Sequence, residues 1–212
     1  MFSDLQLYQA RLDISEIEVD RLWQFLSEDE RSRANKFKAK HLKQRFVAAR
    51  GNLRIMLAQH LSCEPNEINF SYSDRRKPYV EGIYFNLAHS QDLAIYAICS
   101  DREVGIDLEY IDPKCDVDSI AARYFLPTEQ KIIQSLSDRD KYLAFYQAWT
   151  LKESFGKATG QGIANILDSI DVSLLLEMNI GETLQIEGWK LKLLSTELKI
   201  APSYAAALCV CD

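Results

Sequence analysis

Apolar and polar positions alternate from Leu5 to Ile14, the two-residue period of a strand. Two serine–glutamate pairs follow, Ser15 with Glu18 and Ser27 with Glu30, each at the spacing of a capping box. They open predicted helices at about 16–26 and 28–38. A longer helix is predicted from 41 to 61, with Phe46, Leu53, Leu57 and Leu61 as its inner stripe. Ile68–Tyr72 and Asp92–Ser100 read as strands, and so does Val104–Glu109. Asp112-Pro113 marks a loop. Helices are predicted at about 116–124, at 128–136 through Pro127-Thr128, and at 138–158, the last stopped by Gly160 and Gly162. Strands at about 170–174, 183–187, 189–195 and 203–210 complete the chain. The run from Tyr204 to Val210 resembles that from Leu93 to Cys99, so each half runs through helices and ends in an antiparallel hairpin, a faint repeat. Its junction falls near residue 102, separating 1–102 from 103–212.

Composition changes this picture only at its edges. With 212 residues, 47% hydrophobic and 26% charged, the chain has the makeup of a globular protein of one or two domains. No apolar run approaches ~18 residues, so no membrane span is expected. The first residues lack a basic segment followed by an apolar core, so no signal peptide is expected. Five scattered cysteines, including Cys209 and Cys211 at a spacing wrong for a zinc or redox pair, point to reduced thiols in a cytoplasm. The net charge of −6 is unevenly divided: residues 1–102 carry +1 and residues 103–212 carry −7. From Arg31 to Arg54 there are nine Lys or Arg and no acid, a run whose plain reading is a solvated helix face. A basic block beside an acidic half suits a polyphosphate ligand held with a metal better than it suits nucleic acid.

Two segments carry chemistry. In the helix around Trp149–Lys157, Ala144, Ala148, Leu151 and Phe155 form a buried stripe, while Trp149, Glu153 and Lys157 stack four apart on another side. The plain reading of Glu153 and Lys157 is a surface pair. In the strand Val104–Glu109, Val104, Ile106 and Leu108 bury together, leaving Asp107 and Glu109 on the face of Gly105. Two like charges there repel unless solvated at an edge or bridged by a cation; Glu153 is the candidate third carboxylate of an oxygen site suited to Mg²⁺.

The run V-G-I-D-L-E at 104–109, followed about forty residues later by W-T-L-K-E-S-F-G-K at 149–157, resembles the paired signature of the 4′-phosphopantetheinyl transferases, in spacing and length the Sfp-type (surfactin-synthetase-activator) branch. Arg76-Lys77-Pro78-Tyr79 resembles that family's G-K-P element, with Arg76 in place of glycine. Phe85–Ser90 is similar to its F-N-x-S-H-S element, with Ala88 where serine is frequent. Tyr124–Glu129 is similar to its F-F-x-x-x-E segment.

The resemblance implies an α+β fold of two similar α/β halves, each a small antiparallel sheet packed with helices, related by a pseudo-twofold with coenzyme A in the cleft between them. It implies an enzyme that moves the 4′-phosphopantetheine arm of coenzyme A onto a serine of an acyl, peptidyl or polyketide carrier protein, with Asp107, Glu109 and Glu153 holding Mg²⁺. Lys157 then stabilises growing charge on the phosphates, and Lys152 supports from the other lip. Arg50, with Arg31 and Arg33, grips the 3′-phosphate and adenine; Lys77 reaches a phosphate and His89 the pyrophosphate. Glu129 is a helix-start glutamate or an aid to catalysis, and the base is Glu153, Glu129 or a metal-bound water. An internal pseudo-dimer makes a monomer sufficient. Two other functions stay open: a different Mg²⁺-dependent phosphodiesterase using the same acids, and a non-catalytic domain that binds carrier proteins or a coenzyme A thioester.

Overall fold

The structure, a computed structural model, describes residues 4–73, 77–162, 166–177, 182–194 and 198–212. Arg76 lies outside the described residues. The first strand, β1 (Gln6–Arg11), leads into α1 (Glu16–Trp23), α2 (Glu28–Asn35) and the long α3 (Lys40–Leu61). Both expected capping pairs operate. The Ser15 hydroxyl accepts from the Glu18 N–H at 3.3 Å, and the Ser27 N–H donates to Glu30 Oε2 at 3.1 Å. After a two-strand ribbon, β2 (Ser71–Tyr72) with β3 (Pro78–Tyr79), the hairpin β4 (Tyr84–Ser90) and β5 (Leu93–Cys99) follows. Then come β6 (Val104–Tyr110), α4 (Val117–Tyr124), α5 (Pro127–Ser135), the long α6 (Asp138–Thr159), the short α7 (Ser173–Glu177), β7 (Leu184–Ile186), β8 (Trp189–Leu193) and β9 (Tyr204–Cys211).

Two expected strands are corrected. Ile68–Tyr72 forms ladder pairs only at Ser71 and Tyr72; Ile68 and Phe70 instead pack on the first core. The segment 170–174 turns into α7 rather than a strand, because the Asp171 carboxylate accepts from the Ser173 N–H at 2.9 Å and starts a helical turn. Ile170 and Val172 are buried there without a ladder.

Besides the β2–β3 ribbon, the described residues form two antiparallel sheets, ordered β1-β5-β4 and β6-β9-β8-β7. In each, the last strand made inserts beside the first. The β7–β8 hairpin closes through Glu187 and Gly188, both at positive φ (47° and 82°), the two-residue turn that matches the twist of paired strands. Alternation along β5 sends Ala94, Tyr96 and Ile98 into a core with α1–α3, and Leu93, Ile95, Ala97 and Cys99 into a second cluster. That second cluster lies between the sheets, because Val104, Ile106 and Leu108 of β6 and Ala206, Leu208 and Val210 of β9 share it. A third core gathers α4–α7 on the far side of the second sheet.

The sheets also meet edge to edge. Asn86 Oδ1 accepts from the Ile106 N–H at 2.9 Å, and Ser90 Oγ accepts from the Tyr110 N–H at 3.0 Å. Side chains of β4 thus satisfy backbone donors of β6 that no neighbouring strand reaches. This seam holds the C-terminal end of β4 beside that of β6, where the candidate site forms. Among the described residues no helix is long and apolar enough to cross a membrane.

Candidate active site

The site begins with a glycine. Because Val104, Ile106 and Leu108 face the cluster between the sheets, Gly105, Asp107 and Glu109 face α6. A Cβ on Gly105 would lie 2.1 Å from the Ser154 carbonyl oxygen and 2.4 Å from the Ala158 nitrogen. Only a bare backbone lets the helix rest on the strand this closely. The contact brings the next residue on that face within reach of α6: Lys157 Nζ stands 2.6 Å from Asp107 Oδ1 and 3.3 Å from the Ile106 carbonyl.

Asp107 is buried, and its second oxygen, Oδ2, has no hydrogen-bond partner among the described residues. An acceptor left so is worth roughly 1–3 kcal/mol of lost solvation, more for a charged group. Glu109 Oε2 accepts from Ser90 Oγ at 3.1 Å. Glu153, half-buried, has its pKa pushed up to about 7, first by burial, then by the charges of Asp107 and Glu109, with Lys157 opposing. Burial also raises Asp107, against the pull of Lys157, and raises Glu109, with Asp107 adding to it. Three carboxylates therefore share one ammonium in a region poor in water. Among the described residues no three His, Cys, Asp or Glu side chains are drawn together as a ready-made metal cage; Lys157 sits against Asp107.

Crowding of this kind has a signed consequence. Glu153 binds its proton more tightly in the fold than at its ordinary value of 4.5, so stability is lost as pH rises from there to about 7. In chelator-containing buffer, Glu153→Gln is expected to gain Tm relative to the parent as pH rises from about 5 to about 8. Differential scanning fluorimetry measures it, and a Tm difference that ignores pH would show that Glu153 is not crowded.

Basic side chains also act on a histidine within electrostatic reach of Lys157. His89, on the exposed side of β4, has its pKa lowered by the protein mass around the ring and by Lys157, Arg45 and Arg33, so the neutral imidazole is favoured. Arg45 is held by Asp92, Nε to Oδ1 at 2.8 Å, and Arg33 lies over the Phe46 ring at 5.3 Å. Of the expected basic residues, Arg33 and Lys157 therefore lie within electrostatic reach of His89.

Four others are placed differently. Arg50 donates from its Nε to Glu30 at 2.6 Å and its guanidinium covers Phe70, since five residues along α3 turn it about 140° from Arg45. Arg31 donates to the Trp23 and Gln24 carbonyls at the end of α1. Lys77 donates to the Ala158 carbonyl at 3.0 Å, at the end of α6, and burial lowers its pKa. It lines a cavity of about 740 Å³ with Tyr79, Tyr84 and Glu103.

Lys152 is the clearest correction: it faces the interior, not a lip. Fully buried, it pairs with fully buried Glu129 at 2.8 Å and donates to the Leu167 and Ile170 carbonyls. Removing the cation alone strands a buried carboxylate. Lys152→Met is expected to cost roughly 3–5 kcal/mol of unfolding free energy, read by chemical denaturation.

Arg45 was not among the expected residues. The run of nine basic positions contained it, but its selection depends on Asp92, 47 residues away.

Acids crowded onto a helix lysine, with a histidine and arginines within electrostatic reach of that lysine, are an arrangement able to hold a phosphorylated ligand. The family model described as the 4′-phosphopantetheinyl transferase superfamily matches residues 103–209, the stretch that supplies the acids and α6. The 4′-phosphopantetheinyl transferase HetI of Nostoc sp. (strain PCC 7120) is 42% identical over 177 residues, covering 81% of this chain and 74% of that protein. Two relatives from Bacillus subtilis, a 4′-phosphopantetheinyl transferase at 30% and Sfp of strain 168 at 29%, each align over 175 residues, 80% of this chain and 77% of theirs. The chain belongs to the 4′-phosphopantetheinyl transferase superfamily.

Proposed function

We propose that this protein transfers the 4′-phosphopantetheine arm of coenzyme A to a serine hydroxyl of an acyl, peptidyl or polyketide carrier protein. The observation that carries the reading is the approach of α6 to β6, which sets Lys157 2.6 Å from Asp107 and leaves Asp107 Oδ2 buried without a partner. The unpartnered oxygen and the raised pKa values of its neighbours fit a divalent cation such as Mg²⁺, held by Asp107, Glu109 and Glu153. Bound there, the ion would offset the negative charge of a diphosphate.

In the proposed reaction the serine oxygen bonds to the phosphorus that carries the pantetheine. The bond from that phosphorus to the bridging oxygen breaks, and adenosine 3′,5′-bisphosphate leaves. The serine proton passes to Glu153, the carboxylate that α6 sets beside Asp107 and Glu109. Lys157 stabilises charge on the leaving phosphate. Neutral His89 donates to the pyrophosphate, with Arg33 and Arg45 holding phosphate charge beside it.

The shared order of elements supports the expected architecture: a strand, three helices ending in one of 22 residues, then a hairpin whose last strand inserts beside the first. We read residues 1–102 and 103–212 as two halves related by a pseudo-twofold. Both walls of the cleft then come from one chain, and a cytoplasmic monomer suffices.

Mass spectrometry of an apo-carrier protein mixed with the enzyme, coenzyme A and Mg²⁺ tests the proposal. The expected result is a gain of one phosphopantetheine per carrier with release of adenosine 3′,5′-bisphosphate. Release of that nucleotide without carrier modification would favour a phosphodiesterase. Tight coenzyme A binding with no turnover on several carriers would favour a binding domain.

A further inference from the structure

Lys152 is adjacent to Glu153 in the chain yet points to another face of α6, into the interior. Its ammonium meets three acceptors: Glu129 Oε1 at 2.8 Å, the Leu167 carbonyl at 2.8 Å and the Ile170 carbonyl at 2.6 Å. That number equals its donor capacity. Glu129 is equally committed. Its Oε2 accepts from the Leu126 N–H and its Oε1 from the Val172 N–H, both at 2.9 Å. One buried ion pair thus ties together the start of α5, the middle of α6 and the segment that returns from α6 to α7. The Phe125 ring lies 5.5 Å from the ammonium on this same side.

The other side of α6 rests on Gly105, where the backbones touch too closely for any side chain. Elsewhere α6 packs Ala148, Leu151 and Phe155 into the third core, contacts that are close but carry no fixed direction. A lysine fixed by three hydrogen bonds of set direction adds a directional restraint on the helix's rotation.

The geometry points to Lys152 and Glu129 as positioning residues that fix the rotation of α6, and so aim Glu153 and Lys157 at Asp107. This rests on the transferase reading for its kinetic consequence, while its structural consequence stands apart from it. Neither residue touches the reacting atoms. Their contribution is to hold the next residue, and the one a turn beyond it, within the narrow tolerance that proton transfer and phosphate contact require.

The decisive variant is the double replacement Glu129→Gln with Lys152→Met, which removes both charges together and leaves neither buried alone. Folding is checked by circular dichroism, and carrier loading is normalised to folded molecules. The expected result is a fall in kcat of about 10–10²-fold with KM for coenzyme A held within about twofold. A crystal structure of the variant should show Lys157 withdrawn from Asp107.

A Lys157–Asp107 contact retained within about 3.2 Å, or a kcat per folded molecule within about twofold of the parent, would overturn the assignment. Should the double variant fail to fold, Lys152→Arg takes its place. It keeps the charge, but its planar fork cannot reproduce the three-point set, so the same two readouts decide. If the parent protein itself loads no carrier, the transferase reading falls, and the crystallographic readout still judges the positioning role.

Discussion

Glu153→Gln is expected to lower the turnover of carrier loading by about 10²–10⁴-fold, the range typical of losing a general base, with the fold intact. The substitution keeps the shape of the side chain and removes only its capacity to ionise. In the parent, that ionisation is opposed by burial and by Asp107 and Glu109, and favoured by Lys157. Glutamine cannot accept the serine proton, and it replaces an anionic oxygen among the candidate metal ligands with a neutral one. Stopped-flow or discontinuous loading assays at saturating coenzyme A and carrier would measure kcat directly. Circular dichroism and Tm at about pH 5, where Glu153 is itself protonated, would confirm the unchanged fold. Full turnover in this variant would remove Glu153 from both roles and, with it, the convergence of β6 and α6 as the chemical centre.

What the amino-acid pattern disclosed, and what it hid, follows from the range of the interactions concerned. The inward set Val104, Ile106 and Leu108 was readable because strand period and burial are local properties, and the structure buries all three. The stacking of Glu153 above Lys157 follows from helix geometry alone. The inward lysine was also readable in principle. Lys152 falls four residues after Ala148 and three before Phe155, inside the apolar stripe rather than beside it. Its polar type drew attention away from its phase.

The partner that tolerates it there, Glu129, announces itself only as a helix-start glutamate. Its second oxygen and its link to Val172 are products of tertiary packing. Arg45, five residues before the expected Arg50, stayed hidden for a related reason. Both lie on α3, and helix phase separates them, but only Asp92 and Glu30 decide which one faces His89. The turn at Asp171 misled in the other direction, since alternation at Ile170 and Val172 marks burial without marking a ladder.

Gly105 is where local pattern and long-range packing meet, and Gly105→Ala carries the largest expected loss of stability from a single methyl group. The new Cβ would sit 2.1 Å from the Ser154 carbonyl oxygen and 2.4 Å from the Ala158 nitrogen, both backbone atoms of the helix. No rotamer change relieves a clash with backbone. Either β6 leaves its ladder with β9 or α6 moves outward, opening the contact between Lys157 and Asp107. Overpacking of this kind costs about 3 kcal/mol or more, equivalent to a fall in Tm of roughly 6–12 °C for a chain of this size. Displacing Lys157 and Glu153 by even an ångström should also lower kcat by about 10²-fold.

Gly51→Ala is the internal control. Its Cβ would meet Leu22 Cβ at 2.7 Å, a side-chain atom on a neighbouring helix that adjusts by a small shift of α1, far from the acids. The control should lose some Tm and keep its kcat. If Gly105→Ala matches it in both respects, the helix does not rest on the strand as closely as the geometry requires, and the account of how Asp107 meets Lys157 is wrong at its base.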